Sequence, residues 1–109
     1  MRFQESEKIE LKSIVTEDIK KEAIAFANTQ GGKVYIGIEN DGKVIGVKDP
    51  DHTCLQISNM MRDSIKPDIT MFIHYETFVE NDKFYICMDI QRGTNRPYYL
   101  SKKGMRPEG

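Results

Sequence analysis

Val34-Tyr35-Ile36-Gly37-Ile38-Glu39-Asn40-Asp41-Gly42-Lys43-Val44-Ile45-Gly46-Val47-Lys48 reads as two apolar arms around a turn. Asp-Gly between alternating apolar residues is a strong hairpin signal, because both central residues of a type I′ turn need φ > 0. A two-residue turn at Asp41-Gly42 predicts that Glu39 faces Val44, Ile38 faces Ile45, Gly37 faces Gly46 and Ile36 faces Val47. Val34, Ile36, Ile38, Ile45 and Val47 then share one face, which must be core. The other face carries Tyr35, Glu39 and Lys48 around Gly37 and Gly46. Such a glycine notch calls for the close approach of another backbone or a ligand.

Working outward, Ile9 and Leu11 alternate with Lys8, Glu10 and Lys12, the pattern of a short strand. Thr16 can cap a helix whose first turn holds Glu17 and Asp18, acids that suit the helix dipole. Ile19, Ala23, Phe26 and Ala27 form its apolar stripe, and Gly31-Gly32 ends it. Downstream, Asp49-Pro50-Asp51 reads as a turn. A second helix follows from Thr53 to Lys66, with Cys54, Ile57, Met61 and Ile65 on one side and Pro67 closing it. A second hairpin runs from Ile69 to Ile90 and turns at Asn81-Asp82, pairing Val79 with Phe84, Thr77 with Ile86, Tyr75 with Met88 and Ile73 with Ile90. The order strand, helix, hairpin, helix, hairpin predicts an α+β fold. Its sheet is mostly antiparallel, built from two hairpins plus an N-terminal strand, with two helices covering it. The closing tail could add one more strand.

The 109 residues, 39% apolar and 30% charged, suit a single domain over 1–109. No apolar run approaches the roughly 20 residues that span a bilayer, so no membrane partner is expected. Cys54 and Cys87 lack metal or redox spacing and read as reduced thiols, which gives a cytoplasmic expectation. Gly37, Gly42 and Lys43 stand at phosphate-loop spacing. Val44, however, occupies the magnesium-binding Ser/Thr position, and a hairpin is not a strand-loop-helix. Residues 1–90 carry 11 basic and 16 acidic side chains, whereas Arg92, Arg96, Lys102, Lys103 and Arg106 lie in a closing stretch, 91–107, that holds no acid. An acidic body with a basic tail fits phosphate contact. It also fits a merely solubilising surface strand.

Two polar groupings remain. His74 and Asp89 face each other across the second hairpin, a pairing more often structural than catalytic. Glu5, Glu10 and Glu39 could converge beside Lys12 if the first strand joins the sheet. Three carboxylates and a lysine match the composition of a magnesium- or manganese-dependent nuclease centre.

Glu5-x4-Glu10-Leu11-Lys12, Ala25-Phe26-Ala27-Asn28-Thr29-Gln30-Gly31-Gly32 and the run from Tyr35 to Val47 together resemble the signature of the Schlafen AlbA-like domain. The tails Gln91–Leu100 and Lys103–Gly109 are similar to that family's C-terminal stretch. The resemblance implies a DNA-binding domain at the N-terminus of a longer bacterial transcriptional regulator or RecG-helicase-like protein. An ATP-binding, ATPase-like region would then lie downstream of this piece. It also implies an alternative. Related animal domains are RNA endonucleases acting through two glutamates five residues apart and a later acid, which correspond to Glu5, Glu10 and Glu39. A Glu at the third position, where that group tends to have Asp, would move the carboxylate by one methylene.

Three functions are therefore expected to compete. The first is nucleic-acid binding without any cofactor, through Arg92, Arg96, Lys102, Lys103 and Arg106, with Tyr98 and Tyr99 stacking and Gly37 and Gly46 admitting a backbone. The second is a Mg- or Mn-dependent endoribonuclease with Glu5, Glu10 and Glu39 as metal ligands and Lys12 at the phosphate. The third is a protein-interaction or dimerisation module, for which a homodimer is open.

Overall fold

The computed structural model describes residues 3–101. Strand β1 (Ile9–Lys12), helix α1 (Asp18–Asn28), β2 (Gly32–Ile36), α2 (Pro50–Ser64), β3 (Ile65–Lys66), β4 (Ile73–Glu80), β5 (Lys83–Ile90) and β6 (Tyr99–Leu100) follow in order, with a single 3-10 turn at Thr70–Phe72 before β4. A four-stranded sheet has the order β1-β2-β5-β4, and β3 and β6 pair separately. β1 lies parallel to β2, while β2–β5 and β5–β4 are antiparallel. The fold is α+β, with a mixed sheet and two helices.

Both helices cover one face. Ile19, Ala23, Phe26 and Ala27 of α1 are buried, the stripe that the 3.6-residue period predicts. With Ile57 and Met61 of α2 they close over Val34, Ile36, Ile73, Ile86, Met88 and Ile90. Each fully buried side chain of this size contributes about 2 kcal/mol through the removal of apolar surface from water. Helix α1 ends as its glycines require: the Gly31 N–H donates to the Phe26 carbonyl at 2.8 Å, with Gly31 at φ +84°.

The second hairpin has the predicted register throughout, from Ile73 opposite Ile90 to Glu80 opposite Lys83. Asn81 and Asp82 take φ 52° and 65°, the left-handed pair of a type I′ turn. The first hairpin differs. Ile38 bridges Val44, the Gly42 N–H donates to the Glu39 carbonyl, and Gly42 alone carries the positive φ of the turn, +92°. This is a three-residue loop, Asn40-Asp41-Gly42, closed by a glycine bulge, so the register slips by one residue. The chain also turns at Gly37 (φ +98°), which sends Ile38 to the opposite side of the sheet. There it joins Phe3, Leu11 and Tyr85 in a second small core, with Val44 packed against it. The second arm, 43–48, makes bridges rather than a full strand.

Helix α2 begins three residues before the predicted start. Asp49 is its cap, accepting from the His52 N–H at 3.1 Å, and Pro50 occupies the first turn, where a missing N–H costs nothing. Asp49-Pro50-Asp51 is thus a helix start rather than a turn. The tail does add a strand: β6 pairs with β3, Lys66 opposite Tyr99.

Candidate nucleic-acid interface

On the face away from the helices, Lys33 and Tyr35 of β2 line up with Ile9 and Leu11 of β1, and with Asp89 and Cys87 of β5. His74 and Glu76 of β4 continue the row, His74 opposite Asp89 as the register predicts. Phe3, Ile38 and Val44 cover one end of this face. The other end is a cleft of about 630 Å³, lined by Lys8, Gln30, Lys33, Tyr35, Asp89 and Arg92 around Gly31-Gly32. Lys8, Lys33 and Arg92 are all exposed, and Asp89 is the one carboxylate among its lining residues. The cleft is therefore net cationic. Its glycine floor is forced by packing: a Cβ on Gly31 would stand 2.7 Å from the Ile90 carbonyl oxygen, and one on Gly32 would stand 2.5 Å from the Phe26 ring. A side-chain-free floor between three cations suits the approach of a phosphate backbone.

Tyr35 borders the cleft as a neutral phenol, its pKa pushed up to about 12 by burial and by the neighbouring Cys87. Burial likewise raises the Cys87 thiol, although Lys33 nearby draws it back, and both Cys54 and Cys87 are free thiols.

Of the tail residues singled out from sequence, Arg92 lines the cleft and Arg96 is exposed, its Nε donating to the Gly93 carbonyl at 2.9 Å. Lys102, Lys103 and Arg106 lie outside the described residues. The two tyrosines part company. Tyr99 is 57% exposed, whereas Tyr98 is 2% exposed. The Tyr98 ring fills the space beside Gly93 and meets Phe72 edge-on at 6.5 Å, so it has no face to offer a base. Asn28 explains its position: the Asn28 amide donates to the Tyr98 carbonyl at 3.0 Å, and its oxygen accepts from the Tyr98 N–H at 2.7 Å. Tyr98 is a core residue held by α1.

The glycine notch is occupied from within the chain. Cβ atoms on Gly37 and Gly46 would each lie 3.4 Å from the Phe84 carbonyl oxygen, which accepts from the Val47 N–H at 2.8 Å. The backbone that these glycines admit is β5.

The acidic residues gather only in part. Glu10 and Lys12 share a face with Val34 and Ile36, on the α1 side of the sheet edge, because paired residues of neighbouring strands point the same way. Glu5 accepts from the Leu11 N–H at 3.3 Å and shares a hydrogen bond with the Glu10 carboxyl. Glu10 titrates above its ordinary value, first through burial, then through the negative charges of Glu22 and Glu5, with Lys12 opposing. Lys12 Nζ stands 3.6 Å from Glu22. Glu39 instead lines a separate pocket with Ser13, Asn40 and Asp41. The third acid near the pair is thus Glu22, from α1, and among the described residues no three His, Cys, Asp or Glu are placed to hold a metal ion. The three-ligand metal centre of Glu5, Glu10 and Glu39 does not fit this arrangement.

Sequence reasoning missed Lys8, Gln30, Lys33 and Glu22. Lys8 and Lys33 become neighbours only through the parallel pairing of β1 with β2, where the Lys33 N–H donates to the Lys8 carbonyl at 2.8 Å. A local pattern cannot show that.

A four-stranded mixed sheet with one helix-covered face and a cationic cleft at the end of the other defines a small α+β domain. The Schlafen, AlbA_2 family matches residues 5–107, and the chain belongs to that family. Among solved structures it resembles the N-terminal domain of a Nitrosomonas europaea protein described as related to the ATP-dependent DNA helicase RecG. That likeness has a TM-score of 0.75 and 21% identity, over 98% of this chain and 78% of the other. The DIP2311 protein of Corynebacterium diphtheriae shares the fold at a TM-score of 0.61 and 14% identity, over 87% of this chain and 20% of the other. No curated protein matches. Among the described residues, no helix is long and apolar enough to cross a membrane.

Proposed function

We propose that this chain is a nucleic-acid-binding module, with DNA as its expected partner, and that it contacts phosphates in the cleft of Lys8, Lys33 and Arg92. The carrying observation is the convergence of these three cations on a glycine floor, in a chain whose net charge is −1. A protein that attracts polyanions despite its overall charge must concentrate its cations, and this cleft does so. Family membership and the RecG-related description of one structural neighbour support the same reading. Within it, the parent is a cytoplasmic bacterial transcriptional regulator or helicase-like protein with an ATP-binding region downstream, and binding by this piece needs no cofactor.

Titration against duplex DNA, single-stranded DNA and tRNA at two salt concentrations tests the reading. Affinity should fall with salt, and Lys33→Ala with Arg92→Ala should flatten the log K against log salt slope by roughly one per lost contact. Salt-independent affinity, or a double variant that binds like the parent, defeats it.

A second reading, a metal-dependent endoribonuclease, draws on the hydrogen-bonded Glu5–Glu10 pair beside Lys12. The separation of Glu39 counts against it. Incubation with tRNA and Mn²⁺ decides: cleavage lost in Glu10→Ala supports the enzyme, and intact tRNA removes it.

A further inference from the structure

The sheet has two edges of different character. β1 is four residues long, whereas β4 runs for eight, Ile73–Glu80, with β5 on one side and, among the described residues, no strand on the other. Edge strands are normally blunted by brevity, proline, bulges or charged side chains, lysine above all, and of these β4 carries the acids Glu76 and Glu80. β4 has no proline and no lysine, and it pairs with β5 one-to-one without a bulge.

The direction of its free backbone groups can be read from the ladder. The Gln91 N–H donates to the Phe72 carbonyl at 2.8 Å, and the tight turn closes on Glu80 and Lys83. Even-numbered residues of β4 therefore bond inward, to odd-numbered residues of β5, because hydrogen-bonded and non-bonded pairs alternate. Tyr75, Thr77 and Val79 direct their N–H and C=O groups out of the sheet, while the Ile73 N–H donates to the Thr70 carbonyl.

We infer that β4 is the interface of a homodimer, in which two copies pair antiparallel about a two-fold axis at Thr77. The occupant is a second copy because the strand is complementary to itself in this register. Thr77 meets Thr77, Tyr75 meets Val79, Glu76 meets Phe78 and His74 meets Glu80, so no like charges stand opposite each other. Threonine pairs and aromatic–branched pairs are favourable across strands. Neighbouring registers lose this. An axis at Glu76 sets the two Glu76 carboxylates against each other, and an axis at Phe78 sets Glu76 against Glu80. An axis at Tyr75 leaves the hairpin tip uncovered. That tip is unusually apolar for a free surface: Val79 is 61% exposed, Phe84 42% and Phe78 38%. With the axis at Thr77 the odd residues supply about six new ladder hydrogen bonds. The product is an eight-stranded sheet with the open faces of both copies on one side.

Sedimentation of the 109-residue chain, up to about 0.1 mM, reads the self-association that an interface of this modest size supports. A dimer is expected. Thr77→Pro removes an outward N–H that β5 does not use, so the hairpin should keep its fold by circular dichroism while the dimer is lost. Thr77→Lys, which places two ammonium groups opposite each other, should also give a monomer. Glu76→Lys, facing Phe78, should leave the dimer in place. A wild-type monomer at every concentration overturns the inference, and so does a dimer that survives both Thr77 variants. Loss of the dimer in Glu76→Lys but not in Thr77→Lys overturns the register.

Discussion

Strand β5 presents two faces that are chemically unlike, although their residues alternate along eight positions. Ile86, Met88 and Ile90 point into the helix-covered core and are at most 1% exposed. Tyr85, Cys87 and Asp89 point to the other side, where Tyr85 sits in the small aromatic cluster with Phe3 and Phe78 and Asp89 borders the cationic cleft. The first face is built by apolar area, which any residue of the right size supplies. The second depends on which charges two other strands bring alongside. On the proposed function, stability and recognition are thereby separated across one layer of backbone.

The separation can be broken most forcefully from the core side. Met88→Ala opens a cavity beneath α1 and α2 and should cost about 3 kcal/mol. The change should appear as a lower chemical-denaturation midpoint, with nucleic-acid affinity per folded molecule unchanged. Asn28→Ala tests the same side at its margin. It leaves the Tyr98 N–H and carbonyl, both part-buried, without their partner, at a cost of about 2 kcal/mol. Loss of the Asn28 clamp should also free Tyr98, seen as increased tyrosine exposure by quenching. If Asn28→Ala is neutral, the tail is not anchored through α1.

How much of this was legible depended on how local the cause was. The α1 stripe and the second hairpin's register follow from periodicity and from two turn residues that both tolerate positive φ. The first hairpin misled because Asp41-Gly42 accommodates either a two-residue or a three-residue loop. The choice was made by contacts outside it: Val47 bonding to Phe84, and Gly37 turning Ile38 towards Leu11. Asp49-Pro50 carries both turn and helix-start meanings, and only the cap to His52 selects between them. The candidate site was the least legible part. Lys8, Lys33 and Arg92 come from three separated stretches, and no spacing rule links them. Tyr98 and Tyr99 are adjacent in sequence, yet one is core and the other surface.

From the open face the same separation is sharpened. Lys33→Ala combined with Arg92→Ala should weaken DNA binding about tenfold at low salt, since each phosphate contact removed releases fewer counterions. The melting temperature should stay within the scatter of surface substitutions. Should affinity hold while stability falls, the cleft is a structural surface and the assignment of roles to the two faces is reversed.

The smallest effect concerns the sheet edge, where Glu10 lies on the α1 side. Its carboxyl is raised by burial and by Glu22 and Glu5, so ionisation works against the fold. A group whose folded pKa lies above its unfolded value favours folding while protonated, and that favour fades as pH rises through the folded pKa. Glu10→Gln keeps the shape and removes the charge. It should therefore stabilise the chain at pH 7 by about 0.5 kcal/mol, a small gain because the group is largely solvated. The gain should vanish as pH falls below the ordinary value of 4.5, where the wild-type carboxyl is itself neutral. Denaturation of both proteins at pH 4 and pH 7 measures it. A Glu10→Gln variant less stable than wild type at pH 7 would mean that the Lys12 attraction outweighs the acids around it. Glu10 would then be held chiefly by Lys12, and Glu22 and Glu5 would not set its energy.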